Sequence, residues 1–289
     1  MIYSYGVTKQ GHYHIKNNII CQDSHCIKQI GEHFAIGAVA DGLGSEKYSD
    51  IASKIAAEKS VLYCTENIND DLSEDKILEI IRKSFSYALA KIEATAIEQN
   101  NSIAEYDTTL TLAVYLNGTV YYGHSGDSGI VVLNQNGTYE AITEQQRDEN
   151  GCVYPLCFGE KYWCFGTHNN VASVFLATDG MLETLFPYLL QGEDVSIYVA
   201  LAEYMMNNDI LQFGKIETTA IQKKMENFID NISGDQVSDD KTVLVMLDTS
   251  LQTNRQSITY YQPPDWAKLK KKRDEEYKRK AYPHLYGDN

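Results

Sequence analysis

The residues of this 289-residue chain best suited to chemistry are aspartates in short motifs spread along most of its length. Gln22-Asp23 lies in the stretch Asn18 to Ser24, and Asp41-Gly42 closes the apolar run from Phe34 to Ala40. Gly126-Asp127-Ser128 and Asp179-Gly180 follow β-like segments, and Asp239-Asp240-Lys241-Thr242 opens one. A lone Asp-Gly is a common turn dipeptide. Aspartates at several strand ends, converging in a sheet-based fold, supply the rigidly held oxygen donors that hard divalent cations require. The set points to metal-dependent hydrolysis.

The elements that would carry these aspartates can be read from periodicity. Residues 1–40 read as two or three strands, with His33 to Ala40 a buried strand delivering Asp41 to its tip. Ser49 to Tyr63 places Ile51, Ile55 and Leu62 on one helical face, and Ser73 to Gln99 places Ile77, Ile81, Phe85, Leu89 and Ile92 at spacings of three and four. Ser73, followed by Glu74 and Asp75, reads as an N-cap with acids in the first turn. Thr109 to Leu116 and Thr119 to His124 flank Asn117-Gly118, a hairpin signature, and a second hairpin spans Gly129 to Ile142 around Asn136-Gly137. Ser173 to Thr178 and Thr242 to Leu247 read as strands, Val195 to Met206 and Ile216 to Ile229 as helices. This order predicts an α+β fold of antiparallel sheets covered by paired helices.

Composition narrows the function. Residues 1–250 hold 16 Lys/Arg against 35 Asp/Glu, whereas residues 251–289 hold 9 against 5. An acidic body repels nucleic acid and anionic membrane, so neither is expected as a partner. Without a long apolar run or a basic leader the chain reads as soluble and cytoplasmic. Six cysteines are too sparse for a secreted disulfide scaffold and read as free thiols; Cys152, Cys157, Cys164 and His168 match no tight zinc knuckle. Asn-Gly-Thr at Asn117 and Asn136 reads as turn chemistry rather than a glycosylation acceptor.

In sequence order the motifs run Gln22-Asp23, Asp41-Gly42-Leu43-Gly44, Thr108-Thr109-Leu110, Gly126-Asp127-Ser128, Ala177-Thr178-Asp179-Gly180 and Asp239-Asp240-Lys241-Thr242-Val243. The series resembles the metal-dependent protein phosphatases of the type 2C (PPM) family, bacterial-like members included, over about residues 5–248. The resemblance implies a four-layer αββα sandwich, with a catalytic domain over 1–250 and a basic, aromatic-containing tail over 251–289. It also implies a Ser/Thr protein phosphatase using two Mn²⁺ or Mg²⁺ ions, with a third, weaker site. Phosphomonoesters would be hydrolysed by a metal-bridging hydroxide without a phosphoenzyme.

Carried over by position, the resemblance makes Asp41 the carboxylate bridging both metals and the Gly42 carbonyl a further ligand. Asp179 and Asp239 are the other metal-binding aspartates, and Asp23 holds metal-bound water. Asp127 and Glu183 match the third site, and Asp240 supports the ligands from behind. Phosphoprotein substrates and a cognate Ser/Thr kinase are the implied partners.

Departures from the pattern qualify this picture. Asn18 stands where many members have a phosphate-gripping Arg, and an amide cannot reproduce that bidentate grip; His12, His14 and Lys16 are the candidates to compensate. Gln22 replaces a frequent Glu, Leu43 a His, Gly129 an Arg, and Glu183 an Asp. The short interval from Ser128 to Asp179 leaves a minimal flap, with Thr143 to Glu160 bordering the cleft. The losses at positions 18 and 22 motivate the alternative of a catalytically degenerate domain that binds phosphoproteins or regulates. The tail reads as a solvated charged helix or extension, or as a docking element whose Trp266, Tyr277, Tyr282 and Tyr286 suit an acidic partner or the acidic body itself.

Overall fold

In the computed structural model, residues 1–206 and 218–282 are described. Two five-stranded antiparallel sheets stack face to face. One sheet runs β1 (Ile2–Lys9), β10 (Lys241–Asp248), β9 (Val171–Ala177), β6 (Gly129–Asn134), β7 (Tyr139–Ala141). The other runs β2 (Asp23–Gln29), β3 (Phe34–Asp41), β4 (Leu110–Leu116), β5 (Thr119–Ser125), β8 (Cys164–His168). Helices α2 (Ser49–Asn67) and α3 (Glu74–Glu98) cover the second sheet. Helices α4 (Asp179–Leu185), α5 (Val199–Met206) and α6 (Thr218–Asp230) cover the first.

Strand composition follows from this layering. Along β3, Ala35 and Val39 pack between the sheets while Ile36, Ala38 and Ala40 face the helices. Along β10, Leu244 and Met246 face the opposite sheet while Val243, Val245 and Leu247 face the helices. A strand buried on both faces has no polar side, which is why these segments read as unbroken apolar runs. Close sheet contact also needs a small residue: a Cβ at Gly37 would stand 2.6 Å from Leu244 Cδ2.

The expected strands and hairpins form, with Asn117 and Gly118 at φ 50° and 83°, as a tight hairpin turn needs. Five features differ from the sequence reading. The buried face of α2 is mostly small residues, Ser49, Ala52, Ser53, Ala56, Ala57 and Ser60 with Val61 and Cys64, whereas Leu62 is exposed and Ile51 and Ile55 are only partly covered. Small residues let this helix lie close on its sheet, a preference that a search for large apolar residues overlooks. Residues 12–17 form a short helix, α1 (His12–Asn17), not a strand, and α4 starts at Asp179 itself. Strand β8 had no apolar alternation to reveal it, since it is an edge strand with no fully buried residue. Helix α5 starts at Val199, four residues after the expected Val195, and the expected start of the next helix at Ile216 lies outside the described residues.

The tail folds back. Helix α7 (Trp266–Ala281) is capped by Asp265, whose Oδ1 accepts from Lys268 N at 3.0 Å. Trp266 packs edge-on against Tyr198 with ring centroids 5.2 Å apart, Lys272 Nζ pairs with Glu193 at 2.6 Å, and Arg273 lies over the Tyr188 ring at 5.7 Å. The basic helix thus meets the acidic body. Tyr286 lies outside the described residues. No described helix is long and apolar enough to cross a membrane.

Candidate metal and phosphate site

Register places the acidic motifs together at one end of the sheets. The start of β2 meets the end of β3, with Asp23 directly opposite Asp41. The end of β5 meets the start of β4 through Ser125 and Leu110. Ala177 at the end of β9 pairs with Gly129 at the start of β6 and with Val243 near the start of β10. Asp127, Asp179, Asp239 and Asp240 therefore all emerge at the end that carries Asp41.

Local contacts then aim the side chains. Thr109 Oγ1 accepts from Asp41 N at 2.9 Å, and Thr108 Oγ1 and Thr109 N both donate to Asp41 O, at 2.9 and 2.8 Å. The two threonines thus hold the last residue of β3. Gly126 has φ 113°, so this turn, which sends Asp127 inward, favours glycine. At Gly42 a Cβ would stand 2.5 Å from Ser49 O, so only glycine lets the start of α2 come this close.

Two groups of donors result. Asp41, Asp127 and Asp179 bring carboxylate oxygens within 4.8 Å of one another, as do the donor atoms of His14, Asp239 and Asp240. Asp23 stands behind them, its Oδ2 accepting from Thr178 Oγ1 at 2.7 Å. Asp240 uses both oxygens within the fold: they accept from Gly11 N and Gln22 N, each at 2.6 Å, and His14 Nδ1 lies 2.9 Å from Oδ1. It braces the site rather than offering a free oxygen. Glu183 follows Asp179 by one helical turn and shares its face.

Crowding shows in the electrostatics. Burial, then Asp179, pushes Asp127 up to about 7, against the pull of Arg147. Burial raises Asp41 well above the usual carboxylate range, with Asp23, Asp179, Asp127 and Asp239 adding to it. Asp23 rises for the same reason, burial first and Asp240 next. A cluster of hard oxygen donors whose ionised forms repel one another is matched to divalent cations, which relieve the repulsion.

The family model for protein phosphatase 2C matches residues 10–209. The chain belongs to the protein phosphatase 2C family. Among solved structures, a bacterial serine phosphatase superposes with a TM-score of 0.59 at 15% identity, covering 89% of this chain and 100% of that one. A serine/threonine phosphatase of Staphylococcus aureus gives 0.57 at 16% identity over 86% and 95%. One of Mycobacterium tuberculosis gives 0.57 at 15% identity over 85% and 98%. At these identities the likeness is one of fold. No curated protein matches the sequence.

The residues that the sequence reading placed on the phosphate side are arranged as follows. Asn18 has left-handed backbone (φ 55°, ψ 35°) and caps α1, its N–H donating to Ile15 O at 3.3 Å. Asn tolerates that conformation better than Arg does, a local reason for the departure at this position. His14 is buried against Asp240, with Nε2 4.0 Å from Asp239. Lys16 is exposed on α1. Gln22 Nε2 donates to Ser49 Oγ at 2.7 Å, tying a neutral side chain to the start of α2.

Sequence reasoning overlooked Arg147. It lies in the irregular segment that borders the cleft, and its Nη2 is 2.6 Å from Asp127 Oδ2 and 3.0 Å from Asp179 Oδ2. The signal available was that Arg147 is the only cation among residues 143–160, beside four acids. Next to Glu183 a cavity of about 400 Å³ opens, lined by Gly129, Leu182, Phe186, Tyr188 and Gln145.

Proposed function

We propose that the chain is an active, divalent-cation-dependent serine/threonine phosphatase that acts on phosphoproteins in the cytoplasm. The observation that carries this reading is the convergence of Asp41, Asp127 and Asp179 within 4.8 Å, with Asp239 in the neighbouring group. A module that only bound a partner would have no use for so many raised, crowded carboxylates.

Asp41, Asp179 and Asp239 would hold Mn²⁺ or Mg²⁺, with the Gly42 carbonyl as a further ligand; Asp127 and Glu183 would hold a more weakly bound ion. When bound, such ions activate water for attack and neutralise the charge on the transferring phosphoryl group. The chain's own residues do the rest. Thr108 and Thr109 fix the Asp41 backbone, so the carboxylate keeps its aim. Asp23, opposite Asp41 and hydrogen-bonded to Thr178, would orient water and take up a proton, a task suited to its raised affinity for one. Asp240 locks Gly11 and Gln22 to the start of β10, so the two sheets present their ligands in one geometry. Phosphoprotein chain flanking the phosphoresidue would lie in the cavity beside Glu183, whose lining combines apolar Leu182 and Phe186 with polar Thr143, Gln145 and Gln191.

The departures at Asn18 and Gln22 support the second reading, a phosphoprotein-binding module without turnover. Hydrolysis of an aryl phosphate and of a phosphoserine peptide, each assayed with Mn²⁺, with Mg²⁺ and with chelator, separates the two. Cation-dependent release of phosphate from both substrates is expected. Tight phosphopeptide binding with no release would establish the second reading instead.

A further inference from the structure

A single guanidinium nitrogen, Arg147 Nη2, lies between Asp127 Oδ2 and Asp179 Oδ2 at 2.6 and 3.0 Å. That is where a positive charge shared by the two carboxylates would sit. The backbone that presents it is fixed. Gln146 N donates to Gly126 O at 2.8 Å, Gly126 N donates to Gln146 Oε1 at 2.9 Å, and Gln146 Nε2 donates to Tyr162 O at 2.8 Å. On one side Gln145 Nε2 donates to Asp127 O at 2.8 Å; on the other, Asp148 Oδ1 accepts from Asn150 N and Cys152 N, closing a turn. The Arg147 side chain, by contrast, is 36% exposed and can turn without repacking the core.

A divalent ion and this guanidinium compete for the same two oxygens. Once the carboxylates are neutralised by such an ion, Arg147 loses its partners and faces a strengthened positive field, from which the nearest relief is an anion in the cleft. A phosphate ester is that anion, and a planar guanidinium grips it at two oxygens. The cleft has an opening for this role, because Asn18 is a helix cap and His14 is buried, with its Nδ1 2.9 Å from Asp240 Oδ1.

We propose that Arg147 is the phosphate-gripping cation of this cleft, parked on Asp127 and Asp179 until a divalent ion displaces it onto the substrate's phosphoryl group. The proposal rests on the phosphatase reading above. Parking lowers the apparent affinity for the ion by the fraction of chains in which Arg147 has vacated the site. Metal binding and phosphate binding are therefore coupled through one side chain.

Calorimetric titration of the full chain tests both halves without turnover. Arg147→Ala should bind Mn²⁺ about tenfold more tightly than the unmodified chain, a gain of about 1.4 kcal/mol. The same variant, loaded with Mg²⁺, should bind inorganic phosphate about tenfold or more weakly. Arg147→Lys, which keeps the charge and loses the fork, should fall between on phosphate. Arg147→Gln repeats the pair of titrations with a side chain that still hydrogen-bonds, should the alanine variant fold poorly. Unchanged or weakened Mn²⁺ affinity in the variants would overturn the parking half, and unchanged phosphate affinity the gripping half. Both titrations shifting as stated, in a chain that releases no phosphate from any substrate, would overturn the phosphatase reading and leave the assignment of Arg147 standing.

Discussion

Metal-free protein should lose stability as pH rises from 5 to 8, and bound metal should reverse the loss. The reasoning starts from Asp127, whose carboxyl is pushed up to about 7 by burial and by Asp179. An unfolded chain gives the same group a value near 4. Below about 4 both states hold the proton and the fold loses nothing to this group. Between 4 and 7 the unfolded chain releases its proton while the folded chain retains it, so stability falls with every pH step and levels off above 7. From pH 5 to 8 the loss from this one residue is on the order of 2–3 kcal/mol, or roughly 5–10 °C in Tm for a domain of this size. Asp23 and Asp41, also raised by burial, act in the same direction. Divalent cations bind the ionised carboxylates, so stabilisation by Mn²⁺ should be small at pH 5 and large at pH 8. The assay is thermal or urea unfolding with chelator and with saturating Mn²⁺ at both pH values. Asp127→Asn separates this site from general repulsion within the acidic body, because it removes the Asp127 share of the slope and leaves the rest. A metal-free Tm that is flat or rising across this range, or an unchanged slope in Asp127→Asn, would refute the reasoning.

Three further perturbations probe the site and its frame. Asp41→Asn should reduce phosphate release to below about a tenth of the unmodified rate at saturating Mn²⁺, an effect above about 1.4 kcal/mol on the barrier. It should also raise the metal-free Tm at pH 8, since one crowded charge is gone; retained activity would remove Asp41 from the ligand set. Asp240→Ala strips the acceptor from two N–H groups, Gly11 and Gln22, and should destabilise by about 3 kcal/mol, read as a lower urea midpoint. Deleting residues 262–289 should lower Tm by a few degrees by uncovering Tyr198 and removing the Lys272–Glu193 pair while leaving aryl phosphate hydrolysis near normal, because α7 contacts the 188–198 segment and not the carboxylates. Loss of that hydrolysis would show that the segment beside the cavity depends on α7.

How much of this was legible in sequence depends on how far each signal had to travel. Strand-end aspartates announced themselves because an apolar strand buried on both faces stops abruptly at Asp-Gly, whether the chain then turns, as after Asp41, or opens a helix, as at Asp179. Phe34 to Asp41 and Val171 to Asp179 are of this kind, and both deliver a carboxylate where their order implied. The α2 face was misread because its packing is set by alanine and serine, whose small volume matters only once the distance to β3 is known. Helix α1 was invisible for a related reason. Its six residues are held by what surrounds them: Gly11 packs on the Asp239–Asp240 peptide, Tyr13 N donates to Ser238 O, and His14 rests on Asp240. No periodicity can form in so short a run, so only the tertiary partners make it a helix.

Arg147 shows the same limit at the level of charge. Its meaning is relational: an arginine in a polar loop is ordinary, whereas one whose guanidinium bridges two carboxylates of an acidic cluster would compete with any cation for them. The contact arises because Gln146 pins the loop to Gly126, and Gly126 is the turn that also aims Asp127. One glycine thus sets both partners of the ion pair, the carboxylate and the cation opposite it. The departure at Asn18 and the presence of Arg147 then have a single physical account: once a neighbouring loop supplies the guanidinium, position 18 is free to take the residue that best caps α1.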